Sequence, residues 1–194
     1  TIVADPLNTQ NKVMKFQTAP SYNNSTYVTM NDPGASAFSV EYKIMLESGD
    51  NTSLFYNSIG DTAIQWCVTK ISSAQYKLSH RTSGSGVGDQ IAILDLNNWY
   101  TFRTEYIPDG AGNTETKFYI NDVFMAQTYN YWNMSSANPV TSINKLKFVS
   151  FYSATAAFYV DDIKVTDISH VFNDSFEQPA LNEKPDKWTI GSLS

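Results

Sequence analysis

The stretch FSVEYKIML, Phe38 to Leu46, most narrowly limits what this chain can become. Phe38, Val40, Tyr42, Ile44 and Leu46 occupy one parity, and Ser39, Glu41, Lys43 and Met45 the other. In an extended chain successive side chains point to opposite faces, so one face is apolar and the other largely polar. A helix would scatter both sets around its axis. The stretch therefore predicts a half-buried strand, and such a strand is stable only when a second layer covers its apolar face.

The same period recurs along the chain. NKVMKF (Asn11 to Phe16) sets Val13 against Met14. AQYKLSHRT sets Tyr76, Leu78 and His80 against Gln75, Lys77, Ser79 and Arg81. NWYTFRTEYI sets Tyr100, Phe102 and Tyr106 against Trp99, Arg103 and Glu105. SLFYNSIG, AIQWCVTK, TKFYINDVFMAQ, KLKFVSFYS and AAFYVDDIKVTDI read as further strands. Between them lie turn-forming stretches: SGSGVGDQ (Ser83 to Gln90) as a flexible turn, PDGAGNTET (Pro108 to Thr116) as a hairpin loop, and IND (Ile120 to Asp122) as a tight turn. No stretch carries helical periodicity. The expectation is an all-β sandwich or barrel, and 194 residues suffice for one sizeable core.

Charge and composition narrow the partners. The formal net charge is −6 and no Lys/Arg cluster offsets it, so nucleic acid is excluded as an expected partner. No apolar run is long enough to insert into a membrane, and any secretory leader is expected to have been removed already. The single cysteine, Cys67, is expected to be a small buried hydrophobe in AIQWCVTK.

Four motifs, in order, carry a resemblance. DPLNTQNKVMKF, FSVEYKIML, NNWYTFRTEYIPDG with TKFYINDVFMA, and FYVDDIKVTD together resemble the concanavalin A-like sandwiches, the laminin-G-like jelly rolls in particular. The resemblance implies a two-sheet antiparallel jelly-roll β-sandwich with about six or seven strands in each sheet. In that family an opening strand precedes the DP-N-NKV segment, whereas here a similar stretch, DSFEQPALNEKPDKWTIG, closes the chain. The expected organisation is a sandwich body over residues 1–169 and a tail strand over 170–194. That tail would complete its own sandwich as a circular permutation or a neighbour's by strand donation, or the chain would be cut out of register from tandem repeats. Phe176 and Trp188 are expected to be buried in either sandwich.

Three groups of residues are candidates for chemistry. The resemblance implies a structural Ca²⁺ held by acids of the last main strand and the tail, giving Asp161, Asp162, Glu177 and Asn173 as metal ligands. Hard oxygen donors without His or Cys fit Ca²⁺. In the polar loop TYNYWNM, Tyr129, Asn130, Tyr131, Trp132 and Asn133 set flat rings among amides, which matches the apolar faces and hydroxyl rims of sugars. SYNNSTY (Ser21 to Tyr27) and FYNSIGDT read as weaker loops of the same kind, and glycosylation sequons fall at Asn23, Asn24, Asn51, Asn133 and Asn173. Catalytic carboxylates are not expected. The alternating Glu-Asp-Glu strand motif of sandwich glucanases is absent, and Glu41 and Glu105, with Arg103 near, read as a salt-bridged sheet surface. His80 and Arg81, candidates for lyase chemistry, have opposite parity.

From these features the expected function is a secreted, non-catalytic carbohydrate-binding or adhesion module, extracellular or at the cell surface, with a polysaccharide or glycan as partner. The alternative is a structural subunit of an extracellular polymer or surface layer that self-associates through the C-terminal strand. A glycoside hydrolase or polysaccharide lyase is the third reading.

Overall fold

A computed structural model describes residues 1–17, 24–29, 37–49, 54–59, 63–81, 87–108, 114–129, 145–151 and 156–168. These residues form thirteen strands in two antiparallel sheets: β1 (Ile2–Ala4), β2 (Lys12–Gln17), β3 (Asn24–Thr29), β4 (Phe38–Gly49), β5 (Leu54–Ile59), β6 (Ala63–Lys70), β7 (Gln75–Arg81), β8 (Val87–Asp95), β9 (Trp99–Pro108), β10 (Thr114–Ile120), β11 (Val123–Tyr129), β12 (Lys145–Phe151) and β13 (Ala156–Asp167). The seven-stranded sheet runs β1-β2-β13-β4-β9-β10-β11, and the six-stranded sheet runs β3-β12-β5-β6-β7-β8. The architecture is the all-β, two-sheet jelly-roll sandwich that the alternation and the resemblance predict.

The core lies between the sheets. Phe38, Val40, Tyr42, Ile44 and Leu46 of β4 are all buried and face Val68, Tyr76, Leu78, Leu94 and Leu146 of the other sheet. Aromatic rings carry much of the contact: Phe16 stacks on Phe158 with centroids 4.9 Å apart, and Phe38 stacks on Tyr106 at 4.7 Å. In β10 burial alternates without a break, with Thr114, Thr116, Phe118 and Ile120 inside.

In β13 the inward positions change parity. Phe158 and Val160 point into the core, and so do Ile163 and Val165. A bulge resolves the conflict: between the pairs Asp161↔Lys43 and Lys164↔Glu41, β13 advances three residues while β4 advances two. Asp162, within that bulge, has φ of 50°. The doubled aspartate of FYVDDIKV is thus a strand irregularity.

Some expectations are corrected. Val87 to Gln90, read as part of a flexible turn, begins strand β8. Asn24 to Tyr27, read as the end of an aromatic-amide loop, lies in β3, and most of FYNSIGDT lies in β5. Polar and aromatic side chains are compatible with strands, where pairing across the sheet, not composition, decides. Met45, on the polar side of β4, is also buried. It packs with Val13 and Tyr159 in a small second cluster on the outer face of the seven-stranded sheet, against Val3 and Trp99. The segment 170–194, with Phe176 and Trp188, lies outside the described residues.

Candidate functional site

The outer face of the seven-stranded sheet carries the densest polar chemistry among the described residues. Register places Arg103 of β9 directly opposite Glu41 of β4 on one side and Tyr119 of β10 on the other. Tyr119 in turn lies opposite Phe124 of β11. Adjacent strands are about 4.8 Å apart, so these four residues make one row across four strands.

Arg103 is the centre of that row. Its Nη1 pairs with the Glu105 carboxylate. Its Nε lies 3.9 Å from Glu41 Oε2 and its Nη2 3.7 Å from Asp122 Oδ1, both too long for hydrogen bonds. The guanidinium carbon sits 4.0 Å from the centroid of the Tyr119 ring, a cation–π contact. The Tyr119 hydroxyl donates to Glu105 Oε2 at 3.0 Å. Burial, with the hydrogen bond to Glu105 and that carboxylate's charge, pushes the Tyr119 phenol above its ordinary value. Tyr119 therefore stays protonated at neutral pH. The Arg103 side chain is 25% exposed, so it is braced from below and open to solvent from above.

A second group lies on the same face at β2, β13 and β4. The Lys15 ammonium contacts Glu47 at 2.7 Å and donates to the Tyr159 hydroxyl at 3.0 Å, and that hydroxyl donates to Glu47 at 2.8 Å. The hydrogen bond to Glu47, then that to Tyr159, raise the Lys15 pKa. Burial pushes Glu47 up, but the Lys15 and Tyr159 hydrogen bonds outweigh it and hold the carboxyl below its ordinary value. Tyr159 is only 4% exposed, and the triangle joins β2, β13 and β4 across the sheet.

Beside it the segment between β1 and β2 folds over the sheet. Buried Asp5 accepts from the Leu7 amide at 2.8 Å and from Trp99 Nε1 at 3.3 Å. Burial alone would raise the Asp5 pKa, but the bonds from Leu7, Trp99, Asn11 and Asn8 prevail and lower it.

The residues proposed from sequence distribute differently. Asp161 accepts from Asn11 Nδ2 at 2.9 Å, and Asp162 pairs with Lys43 at 2.6 Å. An ammonium already neutralises Asp162, and among the described residues no group of three His, Cys, Asp or Glu could hold a metal. Glu177 and Asn173 lie outside the described residues. Tyr129 ends β11, opposite Glu115. Asn130, Tyr131, Trp132 and Asn133 lie outside the described residues. Cys67 is fully buried, as its setting predicts. Glu41, Arg103 and Glu105 do share one face. Sequence reasoning missed Tyr119, Asp122 and Phe124, although a tyrosine on the outward parity of TETKFYI, beside Glu115 and Lys117, was a readable clue.

No protein-family model matches the chain, and no curated protein matches it. Solved structures do. An endo-β-1,4-glucuronan lyase from the fungus Trichoderma reesei aligns with a TM-score of 0.57 at 8% identity, over 86% of this chain and 85% of that one. A carbohydrate esterase from the Shiga toxin-encoding bacteriophage phi24B aligns with a TM-score of 0.58 at 12% identity, over 85% of each chain. The PL-14 alginate lyase from Aplysia kurodai aligns with a TM-score of 0.50 at 10% identity, over 86% of this chain and 87% of that one. At such identities the likeness establishes the sandwich fold. It also overturns the expectation of a non-catalytic binding or adhesion module and of a strand-donating structural subunit, because the architecture is shared with enzymes that act on carbohydrate. The polar groups of this face converge from β4, β9 and β10, and no single segment contains them.

Proposed function

We propose that this chain is an extracellular polysaccharide-cleaving enzyme of the lyase type, acting on a uronate-containing glycan at the outer face of its seven-stranded sheet. One observation carries the reading. Arg103 uses Nη1 on Glu105 and leaves its Nε/Nη2 edge with only long carboxylate contacts, at 3.9 and 3.7 Å. That edge has the fork geometry that binds a carboxylate with two parallel N–H bonds. The glucuronan and alginate lyases among the solved structures of this fold support the same substrate class.

β-Elimination from a uronate needs three services, and the row supplies a group for each. Arg103 binds the sugar carboxylate and offsets the charge that builds on it as the adjacent C5–H bond is broken. Glu41, across the strand pair from Arg103, accepts the C5 proton. The C5–H electron pair becomes the C4=C5 double bond, the C4–O4 bond breaks, and Tyr119 delivers its proton to the departing oxygen. The Tyr119 phenolate then recovers a proton from solvent and Glu41 returns the proton it took to solvent, with Glu105 holding the Tyr119 ring in place. Atoms and charge balance without a redox partner.

The test is incubation of the protein with glucuronan, alginate and a neutral glucan, followed by ultraviolet absorbance of the unsaturated product and a reducing-end assay. Unsaturated ends from a uronate polymer, lowered about a hundredfold or more in Arg103→Ala and Tyr119→Phe, support the reading. Reducing ends without unsaturation would overturn it in favour of hydrolysis by the Glu41 and Glu105 carboxylates.

A further inference from the structure

Phe124 stands apart from every other phenylalanine whose side chain is described. Phe16, Phe38, Phe102, Phe118 and Phe158 are buried, whereas Phe124 is 52% exposed. Its ring lies on an edge strand beside Val123, itself 61% exposed, so the two make an apolar spot at the hairpin tip that gains little from folding. Phe124 sits on the outer face opposite Tyr119, edge-on to that ring at 5.7 Å and 71°. Tyr119 in turn underlies Arg103. A continuous line of side chains thus leads from the Arg103 guanidinium to an exposed flat ring.

The turn that presents Phe124 is fixed. β10 ends at Ile120 and β11 starts at Val123, leaving Asn121 and Asp122 as a two-residue connection. Both have positive φ, 50° and 64°, as a hairpin turn matching the strand twist requires. The turn is also tied to β9: the Asn121 amide donates to the Thr101 carbonyl at 2.9 Å, and Asn121 Oδ1 accepts from the Thr101 amide at 2.9 Å. A ring held this way loses little freedom when something stacks on it. Asp122, 82% exposed in its side chain, reaches back toward Arg103, its Oδ1 lying 3.7 Å from Nη2.

We propose that the β10–β11 hairpin tip is a sugar-stacking subsite, with the Phe124 ring as platform for a pyranose C–H face. The inference rests on the reading of the Arg103 row as the cleavage centre. Phe124 is two strand spacings from Arg103, about 10 Å. It therefore receives a neighbouring sugar of the same chain and not the one cleaved, and only substrates long enough to reach it gain affinity from it.

The experiment uses oligoglucuronates from disaccharide to hexasaccharide on the wild type, Phe124→Ala, Phe124→Leu and Phe124→Trp, with both cleavage kinetics and titration calorimetry. On the longer oligosaccharides Phe124→Ala and Phe124→Leu should raise KM about five- to tenfold with kcat within twofold, while Phe124→Trp keeps wild-type values. The shortest cleaved substrate should show no change. Leucine keeps apolar bulk without a flat face, so its failure to rescue marks stacking. If KM is unchanged, or rises equally at every length, the subsite is wrong while the cleavage reading stands. If the wild type cleaves none of these probes, that reading falls, and calorimetry decides the subsite. A five- to tenfold weaker Kd in Phe124→Ala for the longer probes supports it; equal affinity, or no binding by the wild type, overturns it.

Discussion

Asp5 shows how one residue organises a stretch that has no regular structure of its own. Its carboxylate collects the Leu7 amide and the Trp99 indole N–H, and so holds the β1–β2 connection over Val13, Met45 and Tyr159. Removing it leaves those part-buried donors without their acceptor, so Asp5→Ala should cost about 1 kcal/mol in a urea melt. Because its folded pKa is lowered, Asp5 contributes stability that is fully present above its ordinary value of 3.8 and is lost as pH falls through the lower folded value. The acid limb of a stability–pH profile should therefore be shallower in Asp5→Asn than in the wild type. Thr116 makes the opposite case. Its hydroxyl is buried in the core with no hydrogen-bond partner among the described residues. Thr116→Val should raise stability by about 1 kcal/mol, or Tm by about 2–4 °C in a scanning melt.

At the scale of elements, β10 links fold to site. Its inward side chains, Thr114, Thr116, Phe118 and Ile120, anchor it in the core, and its outward ones, Glu115, Lys117 and Tyr119, lie on the face that carries the Arg103 row. Phe118→Ala should cost about 3–5 kcal/mol, because it empties a fully buried site between two sheets. The turn that follows tolerates change of another kind. Asp122 has φ of 64°, a region where glycine is free of Cβ strain. Asp122→Gly should keep or slightly raise Tm, while Asp122→Val should lower it by destabilising the hairpin. The bulge in β13 belongs to this scale too. FYVDDIKV was readable as a strand, but the shift from even to odd core positions could be understood only as an extra residue against β4.

At the scale of the molecule, the two sheets turn local alternation into one core and leave an outer face free for chemistry. Lys15, Lys43, Arg103 and Lys117 each pair with a carboxylate on that face. An anionic sugar chain must compete with those carboxylates for the cations, so binding of a uronate polymer should weaken as salt rises, as affinity electrophoresis across a salt series would read. The sequence by itself determined the strand character of most segments, the inward parity of β4 and β9, and the sandwich class. It could do so because alternation is a property of each strand alone and apolar faces must be covered. Only the tertiary structure decided that Glu41, Arg103, Tyr119 and Phe124 share one row, and that Asp162 meets Lys43. Those neighbours come from different strands, and their register is set by long-range pairing that no local pattern encodes.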